Sequence, residues 1–261
     1  MKPIREFPED LKGSIRYVLT DIDDTLSHGG RIPACAYAAM ESLQAAGIKV
    51  VPITGRPAGW CDHIARMWPV DGVVGENGAF YFYYDTMTRK MVRRYFRTDV
   101  QRGKDRLRLE SIGREILESV PGCRISADQA YREADLAIDF CEDVPPLAER
   151  DVLNIVDIFQ KHGAVAKISS IHVNGWFGNY DKLTMTRHFF SEIFQLDLEA
   201  AKGNIIFSGD SPNDEPMFEF FPHSVGVANI LAFQDRLRHR PCWITDREGG
   251  YGFAQMAGFL V

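Results

Sequence analysis

Cysteine is sparse and scattered in this 261-residue chain. Cys35, Cys61, Cys123, Cys141 and Cys242 are odd in number and form no C-x-x-C pair, which speaks for reduced thiols rather than a disulfide framework or a cysteine-based zinc site. An excess of positive charge is missing as well: 30 Lys and Arg stand against 36 Asp and Glu, a net charge of −6 at pH 7. That balance argues against a nucleic-acid partner, which favours a basic face. No uninterrupted apolar run approaches the roughly 20 residues that cross a bilayer, and the opening stretch MKPIREFPEDLKGSIRY holds no apolar leader core. Low-complexity tracts are lacking too. The expectation is a cytoplasmic protein with no membrane or nucleic-acid partner, large enough for one big domain or two modest ones.

What the chain does have is alternation. In the first third, IRYVLTD, IKVVPIT and DGVVGEN read as buried strands, and PACAYAAMESLQAAG and PAGWCDHIARMW as the helices between them. A β-α-β-α-β series predicts a parallel sheet covered on both faces. In such sheets ligands gather at the carboxyl ends of the strands, where TDIDDT, ITGRP and GENGA all fall. After AFYFYYD the style changes. MVRRYFR, ADLAIDFCE (alternating like a half-exposed strand) and VAKISSIHVNG read as extended, and KDRLRLESIGREILESV and AERDVLNIVDIFQKHG as helices. From Lys182 the first style returns. The expected organisation is an α/β core of residues 1–84 and 181–261, split by an α+β insert of residues 85–180 that emerges at the active edge as a lid.

RYVLTDIDDTLS crowds Asp21, Asp23 and Asp24 at the end of an apolar run. Like charges so packed raise one another's pKa unless a cation, a shared proton or solvent compensates. The same stretch begins like an EF-hand loop, but Leu26 and Ile32 stand where that loop needs Gly and a bidentate Glu. Thr54 sits in ITGRP beside a glycine that bares its backbone N–H. Lys182 starts a helix, where the dipole disfavours a cation. Asp210 and Asp214 frame GDSPND after another strand. Taken singly, these are a cap, a turn, a surface lysine and a polar loop. Their shared placement at strand ends makes them a site.

In this order, DIDDT, ITGR, the lysine of YDK and GDSPND resemble the four motifs of the haloacid dehalogenase (HAD) superfamily of phosphohydrolases. The insert is similar to that superfamily's type IIB cap, as in Cof-type and sugar-phosphate phosphatases. The resemblance implies a Rossmann-like parallel-sheet core with an α+β cap, and hydrolysis of a small phosphorylated metabolite such as a sugar phosphate. Asp21 would be the nucleophile that forms an aspartyl-phosphate, and Asp23 the general acid and then base. Thr54 and Lys182 would clamp the phosphoryl oxygens. Oxygen-only ligands suit Mg²⁺, held by Asp21, the backbone carbonyl of Asp23, and Asp210. Asp214 would bind it through water or orient Lys182. Asp24 departs from the pattern, in which Gly is common, and receives no role. A phosphomutase shares this chemistry. A phospho-accepting signalling module has a similar residue set but carries its acidic pair ahead of the acceptor strand and no large insert.

For the substrate, His172, Asn174 and Trp176 alternate on one strand and are expected to share a face over the site. Trp176 packing at the hinge between core and insert is the competing arrangement. Gly55, Arg56, Asn77 and Asn213 are further candidates for substrate contact. The Arg- and Lys-rich stretch 89–108 is expected to be a solvated face of the insert, offset by Glu133, Asp135, Asp139, Glu142 and Asp143. The protein is expected to act as a monomer or homodimer.

Overall fold

Short strands interspersed with helices build most of this chain. The structure, a computed structural model, describes residues 1–169 and 171–261. The first part runs β1 (Lys2–Pro3), α1 (Glu9–Lys12), β2 (Tyr17–Thr20), α2 (Ala34–Ala45), β3 (Lys49–Pro52), α3 (Ala58–Met67), β4 (Val73–Gly75), β5 (Phe80–Asp85) and β6 (Lys90–Tyr95). The middle holds α4 (Asp99–Ser119), β7 (Arg124–Ile125), β8 (Asp135–Asp139), α5 (Glu149–Lys161), β9 (Val165–Ile168) and β10 (His172–Trp176). The last part is α6 (Lys182–Phe189), α7 (Leu198–Ala201), β11 (Ile205–Gly209), α8 (Glu215–Phe220), β12 (His223–Gly226), β13 (Trp243–Ile244) and α9 (Gly249–Gly258). Among the described residues, no helix is long and apolar enough to cross a membrane.

A six-stranded sheet in the order β1-β13-β12-β11-β2-β3 forms the core, with every pairing parallel. Its central strands β2 and β11 are largely apolar because both faces are covered. Val18, Val50 and Ile206 point to a cluster with α2, α3 and α9. Their neighbours Leu19, Val51 and Phe207 point the other way, to α6 and α8. Each such side chain is fully buried and contributes about 1.5–3 kcal/mol relative to exposure.

A parallel bridge between Ile53 and Val74 sets β4 beside β3, and β4-β5-β6 continue as an antiparallel ribbon. Residue 85, where the insert is expected to begin, is the last of β5 in this hairpin. The middle of the chain forms a separate antiparallel sheet, β7-β8-β10-β9. On it α4 and α5 pack through Leu109, Ile112, Ile116, Ile155 and Phe159. The expected extended stretch VAKISSIHVNG becomes β9 and β10, and its Ser170 lies outside the described residues.

Strand β8 differs from expectation. All five residues are buried rather than alternately exposed. Its two carboxylates are satisfied internally: Asp135 accepts from Arg132 and Asn174, and Asp139 from the backbone N–H groups of Cys141, Glu142 and Asp143. The basic stretch is likewise tied down locally. Arg93 pairs with Asp62, Arg94 with Glu192, and Arg102 with Asp99 and Glu133.

Candidate active site

The parallel sheet delivers its chemistry at one edge. Asp21 follows the last residue of β2, and its N–H donates to Ser208 O of β11 at 2.9 Å. Thr54 comes just beyond β3 and donates its N–H to Val74 O. Asp210 follows β11 directly. Lys182 opens α6 behind an N-cap, Asp181, whose side chain accepts from Thr184 N. The lysine is tolerated at a helix start because its ammonium leaves the helix for two carboxylates: Nζ lies 2.7 Å from Asp21 Oδ1 and 2.8 Å from Asp214 Oδ1. Asp214 also accepts from Asp210 N through Oδ2 at 3.2 Å. Gly209 permits that approach, since a Cβ there would stand 2.5 Å from the same oxygen.

Asp21, Asp210 and Asp214 are buried, with carboxylate oxygens within 4.8 Å of one another. Burial pushes Asp21 up to about 7 against the pull of Lys182. Burial, then the charges of Asp214 and Asp21, push Asp210 well above the usual carboxylate range. Lys182 is held charged, because its two carboxylates outweigh its desolvation. Three carboxylates against one ammonium leave negative charge uncompensated, and the donors are all oxygen. The set fits a small hard dication such as Mg²⁺. Asp23, of which only the backbone carbonyl is expected as a ligand, turns its side chain to Arg56, at 2.9 Å from Nε and 2.7 Å from Nη2.

A small cavity of about 40 Å³ opens over this edge, lined by Asp21, Asp23, Gly55, Arg56, Asp210, Ser211 and Asn213 below. Above it stand Arg132, Ser169, Ile171, His172 and Asn174 from the middle of the chain. Of the residues expected at the substrate, Gly55, Arg56, His172, Asn174 and Asn213 therefore meet there. Trp176 does not. It is fully buried in the main core, stacked on Tyr180 at 5.8 Å between ring centroids, because β10 runs from the roof of the cavity down into the junction. Asn77 is also set back from the cavity: its amide packs behind Gly55, whose added Cβ would lie 3.2 Å from Asn77 Oδ1.

His172 Nε2 lies 2.8 Å from Glu142 Oε2 and 3.2 Å from Ser126 Oγ. Burial, then the nearby Arg132, lower its pKa to about 4. The ring is thus neutral at pH 7, and its contact with Glu142 is a hydrogen bond rather than an ion pair. Several residues here carried no sequence signal. Arg132 bonds Asp128, Asp135 and the Gly55 carbonyl. Asn229 donates to Asp210 Oδ2 and to the carbonyl of Asp24. Thr25 donates to Asp210 Oδ1 at 3.2 Å. Asp24 itself has φ 54°, a left-handed turn that explains why glycine suits this position. Its carbonyl accepts from Asn229, and its side chain makes no hydrogen bond among the described residues.

Residues 18–101 match the family of haloacid dehalogenase-like hydrolases. A protein of Thermoplasma acidophilum superposes with a TM-score of 0.71 at 20% identity, over 94% of this chain and 98% of its own. A HAD/COF-like hydrolase of Plasmodium vivax gives 0.68 at 17%, over 96% and 98%. The fold is therefore shared along nearly the whole length. The family match covers residues 18–101 only, and beyond it the likeness is one of fold. A HAD subclass IIB sugar phosphatase superposes with a TM-score of 0.64 at 13% identity, over 94% of this chain and 100% of its own. No curated protein matches it by sequence.

Proposed function

We propose that this chain is a haloacid dehalogenase-type hydrolase that cleaves phosphomonoesters of small metabolites, sugar phosphates foremost, with Mg²⁺ and through an aspartyl-phosphate on Asp21. The observation that carries this reading is the meeting of Asp21, which Lys182 ties to Asp214, with the Asp23–Arg56 pair at one cavity. Asp21 attacks phosphorus through a carboxylate oxygen while the bond to the leaving oxygen breaks, and Asp23 gives that oxygen its proton. Asp23 then takes a proton from water, which attacks phosphorus and frees Asp21. Lys182 holds the Asp21 carboxylate in place and, with the Thr54 hydroxyl, offers donors to the phosphoryl oxygens. Asp21, Asp210 and the Asp23 carbonyl would hold Mg²⁺, and Asp214 would orient Lys182. When bound, the ion supplies positive charge to the transferring phosphoryl group.

The α+β unit within residues 85–180 acts as a cap in this reading. A cavity of about 40 Å³ is far smaller than the ~300–1,000 Å³ of pockets that enclose small-molecule ligands. Substrate must therefore enter with the cap swung away and be enclosed afterwards. The roof, with Ser169, neutral His172 and Asn174, suits a leaving group rich in hydroxyls. The similar fold described as a sugar phosphatase supports the same class. The test is a phosphate-release screen over sugar, nucleotide and small-acid phosphates with Mg²⁺. Turnover of sugar phosphates to free phosphate is expected. Inert behaviour across the panel, or return of the phosphoryl group to a second hydroxyl, overturns the reading.

A further inference from the structure

The loop between β4 and β5 carries a buried carboxylate that the proposed chemistry does not use. Glu76 is completely buried, and with φ 42° it begins a pair of left-handed non-glycine residues completed by Asn77 at φ 55°. Side-chain-bearing residues seldom adopt this backbone, and it aims the Glu76 carboxylate away from its own loop. Oε1 accepts the N–H of Ala58, the first residue of α3, at 2.9 Å, and that of Glu133 at 2.9 Å. Oε2 accepts the N–H groups of Ala134 at 2.6 Å and Asp135 at 3.2 Å. One core side chain thus receives three consecutive backbone donors from the cap and one from the core.

The three residues it grips follow Arg132 directly. The Arg132 guanidinium lines the catalytic cavity, reaches across to the Gly55 carbonyl at 3.1 Å, and bonds Asp128 and Asp135. We propose that Glu76 is a positioning residue: its carboxylate docks the cap segment 133–135 onto the core and thereby fixes Arg132 over the leaving-group end of the cavity. A carboxylate suits the task because both oxygens accept and neither must donate. A glutamine of nearly the same shape offers one accepting oxygen, and its NH₂ would face backbone N–H groups. The kinetic part of this inference rests on the phosphatase reading, and the docking part does not.

The test compares wild type and Glu76→Gln by hydrogen exchange and by steady-state kinetics. Amides 133–135 should exchange at least about tenfold faster in the variant, with those of β2 and β11 unchanged. With Mg²⁺, kcat/KM for the best sugar phosphate of the panel should fall about tenfold or more, and p-nitrophenyl phosphate turnover should change by less than about threefold. Unchanged exchange at 133–135 overturns the proposal. So does acceleration spread evenly along the chain, which would make Glu76 a general core group, and so do equal losses on the two substrates. A wild type that releases no phosphate overturns the phosphatase reading and the kinetic role with it, while the exchange data still decide whether Glu76 docks the cap.

Discussion

Arg56 holds the Asp23 carboxylate in a two-pronged grip, Nε at 2.9 Å from Oδ2 and Nη2 at 2.7 Å from Oδ1. Its remaining nitrogen, Nη1, faces the cap, 3.9 Å from Asp128 and 3.7 Å from Glu142. The guanidinium is braced from the side by the Trp60 ring at 4.5 Å. The grip fixes the orientation of the Asp23 carboxylate beside the cavity. The arginine also links Asp23 to Asp128 and Glu142 of the middle of the chain.

Lysine cannot reproduce a planar, two-pronged grip. Arg56→Lys should lower kcat about ten- to a hundredfold on p-nitrophenyl phosphate, because the acid-base group loses its fixed orientation. Steady-state kinetics with saturating Mg²⁺ check this. A kcat within twofold of wild type would show that the pair does not govern catalysis.

Asp21 and Asp210 were legible in the sequence because each breaks an apolar run at a strand end, a local signal. Arg132 and Asn229 were not. Neither AYREAD nor VANI carries a local pattern that marks a site, and their partners lie across the fold, Gly55 for one and Asp210 for the other. Asp135 and Asp139 misled for the same reason: a strand with carboxylates at alternate positions looks half-wet unless the buried Arg132 and the turn amides that satisfy them are known. Alternation put Trp176 on a face with His172 and Asn174. It could not show that β10 descends past the cavity into the hinge.

Asp21→Asn should reduce turnover by about three decades or more, since an amide is a far poorer nucleophile. The fold should survive, because the change removes one of several crowded buried charges and Lys182 keeps Asp214 as its partner. Circular dichroism and phosphate release together decide. Activity within tenfold of wild type would remove Asp21 from the nucleophile's role.

Excess EDTA should abolish activity and added Mg²⁺ restore it, whereas Ca²⁺, with its larger and looser shell, should inhibit. Asp210→Ala removes one anionic ligand and should raise the Mg²⁺ concentration for half-maximal rate by about tenfold or more. Full activity in EDTA would rule out the metal.

The neutral His172 makes stability depend on pH in a defined window. Its folded pKa of about 4 lies below the ordinary histidine value of 6.5. Between those values the unfolded chain binds the proton more readily, so unfolding becomes easier as pH falls from about 6.5 to 4. A shift of this size corresponds to a loss of about 2–3 kcal/mol across the window. His172→Gln should flatten this dependence in chemical-denaturation curves taken between pH 4 and 7. An unchanged slope would mean that other groups govern the acid limb.

Truncation at the roof and at the hinge should separate two effects that one strand combines. His172 stands at the cavity and bonds Glu142 behind it, and Trp176 is buried against Tyr180. His172→Ala and Glu142→Ala should each lower kcat/KM for the preferred metabolite about ten- to a hundredfold, the cost of one polar contact worth ~1–3 kcal/mol. Activity on p-nitrophenyl phosphate should fall much less, since its leaving group makes few contacts with the roof. Trp176→Ala should instead cost about 3–5 kcal/mol of stability, as expected for a fully buried aromatic. Both substrates should then lose activity together, in proportion to the unfolded fraction. The same pattern for all three variants would place His172 and Glu142 with the hinge rather than the substrate. A substrate-selective loss in Trp176→Ala, with unaltered denaturation, would return the tryptophan to the cavity.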